Sequence, residues 1–244
     1  MFLPIGDENI KGGAKPIFSY GFIAINVIIF IVQFLTPGNL ICEAALIPTN
    51  IVKGQDYFTF LTNIFMHGGW GHLLFNMLFL WIFADNIEAT IGNFLFVVFY
   101  LLGGFFASGL QILFTLEAMN ADVANCCIQC VQNCAEDSVF CPGTIPNVGA
   151  SGAISAVMGA YMVMYPRSKI KILVLIFFRS FHIPALIAIG VWIVMQVFSG
   201  INSLSVEAAS TGGTAWWAHI GGFVFGALAG FILKIWFKNP DEFS

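Results

Sequence analysis

Six stretches of this chain contain no Asp, Glu, Lys or Arg, and each is at least 26 residues long. They are residues 16–42, 57–84, 89–116, 138–166, 180–206 and 208–233. A transmembrane helix needs about 20 predominantly apolar residues. Only 9% of the residues are charged and 59% are hydrophobic, so there is too little charge to cover a soluble surface. The sequence therefore predicts an all-α, polytopic membrane protein. We expect residues 1–244 to form one bundle of six transmembrane helices, with a cysteine-bearing external loop at 117–148.

The basic residues predict the orientation of this bundle. With a cytoplasmic N-terminus, eight of the nine Lys and Arg residues lie inside and only Lys53 lies outside. Cytoplasmic loops carry an excess of Lys and Arg. We therefore expect the N- and C-termini in the cytoplasm. A prokaryotic cell membrane is a separate expectation, and the sequence does not identify the organism. The opening residues lack the pattern of a cleaved signal peptide, so the first span is expected to stay in the mature protein.

All six cysteines fall in loops that this topology places outside the cytoplasm. Cys42 lies in the first external loop, and the other five lie within residues 126–141. An even number of external cysteines favours disulfides, and we expect at least one within the long loop. A metal site is the alternative. The irregular spacing of Cys127, Cys130 and Cys134, with no histidine nearby, argues against it.

A serine stands at the start of the fourth predicted span. Ser151 lies in the charge-free run NVGASGAISAVMGAYMVMYP, residues 147–166. From Gly149 to Pro166 a helix would be roughly 26 Å long at about 1.5 Å per residue. That is less than the ~30 Å thickness of the hydrocarbon core. Because Arg167 fixes the cytoplasmic end, the outer end should be recessed below the external surface. We expect Ser151 to face an internal aqueous pocket there.

Small residues recur at intervals of four on the fourth and sixth predicted spans. They are Ser151, Ser155 and Gly159 on one span, and Gly222, Gly226 and Gly230 on the other. Such stripes let two helices approach closely. His219 lies at the same outer end as Ser151, so packing the two faces would bring them within hydrogen-bond reach, as a nucleophile requires of its base. The alternatives are a serine that only packs and a histidine that bonds to a loop carbonyl.

Two further polar side chains share one face of the second predicted span. His72 and Asn76 are four residues apart at its outer end. Both can donate hydrogen bonds to a developing oxyanion, and the alternative is a structural hydrogen bond that holds the first loop. His67 belongs to the glycine-rich loop before this span, and we expect it to be structural. His182 is interpreted as an interface residue at the cytoplasmic boundary of the fifth span.

The motifs that other classes of membrane protein require are absent from this sequence. No His-Glu-x-x-His motif is present for a metalloprotease. An aspartyl protease needs two carboxylates within spans, and only Asp85 and Glu88 come close, both at a cytoplasmic helix end. Residues 149–153 do not form the G-x-S-x-G turn of the hydrolases. No inverted repeat indicates a transporter. Since no acid is placed to orient His219, the sequence favours a Ser–His dyad.

Four segments, in this order, resemble the rhomboid family of intramembrane serine proteases. They are FLPIGDEN near the N-terminus, His67-x4-His72-x3-Asn76, Gly149-Ala-Ser151-Gly152 and Ala218-His219-Ile-Gly-Gly222-x3-Gly226. The resemblance covers all six spans. It implies that Ser151 is the nucleophile and that His219 is the general base and then the general acid. The oxyanion hole would consist of His72, Asn76 and the backbone amide of Ser151.

The resemblance also implies a substrate class and a set of packing residues. Family members cleave membrane-anchored, usually single-pass proteins near the external face, without metal or other cofactor, within the lipid bilayer. No nucleic-acid partner is expected, and the sequence assigns no oligomeric state. Packing roles near the site are expected for His67, Gly149, Gly152, Ser155, Gly159, Gly222 and Gly226.

Three features depart from the family pattern. Ser155 stands where some members have a Tyr that packs on the histidine, and Phe58-Thr59 stands where some have a Trp-Arg pair. The loop at 117–148 is also longer than expected. The alternative function is a non-catalytic rhomboid-like protein that binds client transmembrane helices. Loss of the serine or the histidine would be its signature, and this sequence has both.

Overall fold

Long apolar helices make up most of the chain in the computed structural model, which describes residues 2–10, 12–36, 40–118, 142–176, 178–204 and 214–237. In chain order the helices are α1 (Ile17–Leu35), α2 (Leu40–Ala44), α3 (Pro48–Val52), α4 (Thr59–Thr62), α5 (Trp70–Ile91), α6 (Asn93–Ala118), α7 (Ser151–Met164), α8 (Ala185–Asn202) and α9 (Trp216–Trp236). Among the described residues, five helices are long and apolar enough to cross a membrane, namely α1, α5, α6, α8 and α9. The predicted fold class, a helical polytopic membrane bundle, is confirmed.

The helix α7 corresponds to the short fourth span. It has 14 residues and is therefore about 21 Å long. Its residues from Gly152 to Tyr161 are all buried, because α5, α6, α8 and α9 pack around it. A helix so enclosed needs no lipid-facing surface. Its N-terminus can therefore lie below the outer ends of its neighbours.

The backbones of α7 and α9 touch directly. A Cβ atom on Gly226 would overlap the carbonyl group of Ala156, and one on Gly222 would overlap the carbonyl oxygen of Gly152. Gly159 faces the backbone of α9 in the same way. The two small-residue stripes therefore form one tightly packed seam, as their spacing predicted.

A buried carboxylate caps the N-terminus of α1. The side chain of Glu88, on α5, is 0% exposed. It accepts hydrogen bonds from the backbone N–H groups of Phe18 (2.9 Å) and Ser19 (2.6 Å) and from the hydroxyl of Ser19 (2.6 Å). These bonds satisfy donors that a helix end leaves free, and a negative charge is favourable there. The charge-free stretch 57–84 predicts that this span ends near Asp85. That end was wrong, because α5 continues to Ile91 with Glu88 satisfied in this way.

A small antiparallel sheet covers the end of the bundle opposite Ser151. Its strands are β1 (Phe2–Gly6), β2 (Lys169–Val174) and β3 (Arg179–Pro184), in the order β1-β2-β3. This sheet was not predicted from the sequence. The alternation in β2, where Ile170 and Ile172 are buried while Lys169 and Lys171 are exposed, is the period-two signal of a strand. His182, predicted at the boundary of the fifth span, lies in β3, and α8 begins at Ala185.

The segment after β1 docks on the same end of the bundle through Asp7. Its carboxylate accepts hydrogen bonds from the Tyr161 hydroxyl (2.5 Å) and the Asn86 side-chain amide (2.8 Å). Burial raises the pKa of Asp7 to about 7, and the nearby Asp85 adds to this, whereas the two hydrogen bonds oppose it. Asp7 therefore holds a proton at pH values where an exposed carboxyl group has lost it.

The cysteine-bearing loop predicted at 117–148 falls mostly outside the described residues. Residues 119–141 contain five of the six cysteines, so the disulfide expected within the loop stays a prediction. Cys42, which precedes α3, is disulfide-bonded.

We predict that Gly226→Ala destabilises the protein, because the added methyl group would meet backbone atoms of α7 that cannot rotate away. Overpacking of this kind costs about 1–3 kcal/mol. Gly190→Ala on α8 is the matched control, since a Cβ atom there has no neighbour within 4 Å. Thermal unfolding of both variants in one detergent measures the effect. Equal unfolding temperatures for the two variants would show that the seam tolerates a methyl group.

We also predict a pH-dependent stability that depends on Asp7. Its carboxyl group has a pKa of about 7 in the folded protein, compared with about 3.9 in an unfolded chain. Between these values the folded state binds a proton that the unfolded state has lost, so stability falls as the pH rises from about 4 to 7. Asp7→Asn should weaken this fall. The measurement is the unfolding temperature at several pH values, with the exposed Glu43→Gln as control. A slope in the Asp7→Asn variant as steep as that of the wild type would contradict the assignment.

Candidate active site

Ser151 and His219 meet at the outer end of the seam between α7 and α9. Ser151 is the first residue of α7, and His219 lies in the first turn of α9. The His219 Nε2 atom lies 2.8 Å from the Ser151 hydroxyl oxygen. His219 is 9% exposed. Gly152, next to the serine, packs against Ala107 of α6, where a Cβ atom would lie 2.5 Å from the alanine methyl group. The structure thus brings together the two residues that the stripes predicted to meet.

Gly149 shapes the entry of the chain into α7. Its φ angle is +129°, and a Cβ atom there would lie 2.7–2.8 Å from the His72 ring. Only glycine readily adopts this φ angle and also leaves room for the His72 ring. The Gly149 N–H donates a hydrogen bond to the Asn63 carbonyl (2.9 Å), and Asn147 pairs with Leu46 through two backbone hydrogen bonds. The first loop therefore fixes the backbone that precedes Ser151.

His72 and Asn76 line the side of the cavity formed by α5. The Gly68 N–H donates to His72 Nδ1 (3.3 Å), so the neutral ring carries its proton on Nε2, which lies on the side of the ring that faces Gly149. Asn76 is 7% exposed, and its side-chain nitrogen has no hydrogen-bond partner in the described part of the chain. Both side chains therefore present N–H groups that can donate to a ligand.

His67 lies behind His72 and is fully buried. The two rings are 5.2 Å apart between centroids. Gln33 of α1 exchanges two hydrogen bonds with the His67 backbone, at 2.5 and 3.2 Å. Burial lowers the pKa of His67 to about 4, with a further contribution from His72. A neutral ring held in this way packs against His72 and lies outside the set of residues that line the cavity.

These residues surround a cavity of about 670 Å³. Its lining includes His72, Asn76, Asn147, Ser151, Trp192 and His219. A hydroxyl, an imidazole and several N–H donors in one cavity can carry out acyl transfer at a carbonyl group. In the described part of the chain, no group of three or more His, Cys, Asp or Glu residues is placed to hold a metal ion.

A family model, that of the Rhomboid domain, matches residues 54–236. The chain belongs to the rhomboid family. This confirms the resemblance predicted from its motifs, and with it an integral, multi-pass membrane protein.

Three relatives show how the similarity is distributed. Rhomboid protease GluP of Bacillus subtilis (strain 168) is 27% identical over 152 residues, which are 61% of this chain and 24% of that protein. Rhomboid protein 1, mitochondrial, of Saccharomyces cerevisiae (strain ATCC 204508 / S288c) is 26% identical over 184 residues, 74% of this chain and 44% of that protein. RHOMBOID-like protein 6, mitochondrial, of Arabidopsis thaliana is 27% identical over 224 residues, which are 86% of this chain and 58% of that protein. The matched region thus spans about a quarter to three-fifths of these relatives.

Gln196, which contacts His219 in this rhomboid, was not identified from the sequence. Gln196 on α8 is 7% exposed, and its side-chain oxygen lies 2.7 Å from His219 Nδ1. A long amide side chain within a charge-free span was the available signal. Gln111 of α6 was also missed, and its side-chain oxygen accepts a hydrogen bond from the Ala218 N–H (3.1 Å), at the start of α9.

Ser155 stands at the position where some rhomboids carry a Tyr whose ring packs on the histidine, and serine has no ring to do so. Its hydroxyl donates to the Ser151 carbonyl at 2.6 Å, within α7. Two tryptophans flank His219 instead, with Trp192 at 5.9 Å and Trp216 at 6.3 Å between ring centroids. The histidine of this rhomboid is therefore held by an amide and two indole rings.

Proposed function

We propose that this protein is an intramembrane serine endopeptidase that cleaves membrane-anchored, single-pass proteins near the external membrane face. Ser151 is the nucleophile and His219 the general base. The observation that carries the proposal is the 2.8 Å distance between the serine oxygen and His219 Nε2 inside the cavity. Family membership and the protease named among the relatives support the same reaction class.

The first half of the proposed reaction forms an acyl-enzyme. As the Ser151 oxygen attacks the carbonyl carbon of the scissile peptide bond, its proton passes to His219 Nε2. Negative charge then develops on the carbonyl oxygen. The N–H groups of His72, Asn76 and the Ser151 backbone are the proposed donors to it. The imidazolium returns the proton to the departing amine nitrogen as the C–N bond breaks.

The second half consumes water. His219 takes a proton from a water molecule, whose oxygen attacks the acyl carbon. The C–O bond to the serine breaks, the proton returns to the Ser151 oxygen, and a carboxylic acid leaves. A cavity of about 670 Å³ whose lining includes polar side chains can admit that water. This supports hydrolysis at a serine that lies within a membrane bundle.

The proposed orientation places the cavity toward the external side, with both termini in the cytoplasm. It is supported by the eight-to-one distribution of basic residues. We propose a prokaryotic cell membrane as the location, and a bacterial relative is consistent with it.

The alternative function is a non-catalytic rhomboid-like protein that binds client transmembrane helices. Relatives named rhomboid-like make this class relevant. Such a protein needs no contact between serine and histidine, whereas Ser151 and His219 lie at hydrogen-bond distance. This observation favours the protease.

We predict that Ser151→Ala and His219→Ala each abolish cleavage of a model transmembrane substrate, because one removes the nucleophile and the other its base. Cleavage by purified protein in detergent is the measurement, together with covalent labelling by a fluorophosphonate probe. Ser199→Ala on α8, outside the cavity lining, is the matched control and should keep both activities. Cleavage or labelling retained by the Ser151→Ala variant would refute the proposed nucleophile.

His72→Ala and Asn76→Ala should lower the turnover number without abolishing cleavage. Removing one oxyanion donor typically costs about 10²–10³ in rate, and the remaining donors still act. Steady-state kinetics on each variant, with the unfolding temperature as a control for folding, measures the effect. If both variants turn over at the wild-type rate, these side chains do not stabilise the oxyanion.

A further inference from the structure

His219 can act as a base toward Ser151 in only one of its two neutral forms. The Nε2 atom faces the serine oxygen at 2.8 Å. To accept the hydroxyl proton, Nε2 must carry the lone pair, so the ring proton must reside on Nδ1. In the other tautomer Nε2–H would point at the serine oxygen and could not remove its proton. What binds Nδ1 therefore decides whether the dyad can react.

A buried amide oxygen binds that position. The Gln196 Oε1 atom lies 2.7 Å from His219 Nδ1, and both side chains are more than nine-tenths buried. An amide oxygen only accepts hydrogen bonds. The pair thus favours the Nδ1–H tautomer and leaves the lone pair of Nε2 toward Ser151. Because the contact is buried, little water competes for it.

We infer that Gln196 is the positioning residue of the active site, which fixes the tautomer and the ring orientation of His219. The inference rests on the proposed protease function and adds a third member to the dyad. Gln196 acts through His219 and does not line the substrate cavity. Trp192 and Trp216 also lie near the same ring, at 5.9 and 6.3 Å between centroids, and limit the space in which it can turn.

A neutral residue suits position 196 because the surrounding helices carry no charge. The helices α6, α7 and α8, which pack against α9, carry no charged residue from 93 to 116, from 151 to 164 and from 185 to 202. A carboxylate there would be costly to bury. Among the described residues, His72 of α5 is the other titratable group that lines the cavity with His219. An amide oxygen orients the ring without adding a charge.

Three substitutions separate an orienting role from a packing role. Gln196→Met keeps the length of the side chain but removes the oxygen. Gln196→Asn keeps the amide but is one methylene too short to reach His219. Gln196→Glu keeps both the reach and an acceptor. If Gln196 only filled space, Met would be tolerated best and Asn least.

We expect the Met and Asn variants to lose about 10- to 10²-fold in kcat, part of the contribution of general-base catalysis, with KM unchanged. The Glu variant should recover most of this loss. Its carboxylate would stabilise the imidazolium ion, so the acid limb of its kcat/KM profile should move to higher pH than in the wild type. His72 is present in every variant and does not contribute to that difference.

The inference is overturned if the Met variant turns over like the wild type, if the Glu variant is as slow as the Asn variant, or if its acid limb does not move. A measurement on the wild type alone adds an independent test. ¹⁵N chemical shifts of labelled histidine should show the His219 proton on Nδ1, and a proton on Nε2 would overturn the inference. Wild-type protein that neither cleaves substrate nor labels at Ser151 would refute the proposed function itself, which is a different outcome.

Discussion

The direct contact between the backbones of α7 and α9 is the constraint on which the active site depends. Gly222 and Gly226 let α9 approach α7 until no side chain separates them. Because His219 precedes this seam on one helix and Ser151 begins the other, the seam sets the distance between them. A wider seam would move both residues out of hydrogen-bond range even though each kept its own local structure.

The remaining polar residues of the site are fixed by the elements around this seam. The first loop holds the backbone before Ser151 through Leu46 and Asn63, and α5 contributes His72 and Asn76. The helix α8 contributes Gln196. Each group comes from a different element, so the geometry of the cavity depends on the whole bundle rather than on a single motif.

The sequence was informative about the membrane spans and about the seam, since charged residues mark the ends of spans and small residues mark close helix contacts. Charge-free stretches located α1, α6, α8 and α9 closely, since the bilayer imposes their length. Spacing of four predicted the seam, and with it the approach of Ser151 to His219. The roles of these two residues, and of His72 and Asn76, stay proposals until activity is measured.

Other features could not be predicted because they depend on contacts between distant segments. The end of α5 was misplaced because the charges of Asp85 and Glu88 resemble a membrane boundary, and the partners of Glu88 on α1 are seen only in the structure. The sheet was missed because β2 and β3 are six residues each, too short to stand out beside the spans. Gln196 belongs to no motif, and although an amide in a charge-free span is unusual, its partner is seen only in its distance to His219.

The cap on α1 has a consequence for the order in which this protein assembles. The backbone amides of Phe18 and Ser19 receive their acceptor from Glu88, some 70 residues later in the chain. Since synthesis runs from the N-terminus, α1 is made, and its first turn is left with free donors, before α5 exists. The helix therefore reaches its final position only when the second long helix arrives beside it. One carboxylate thereby links the placement of α1 to the synthesis of α5.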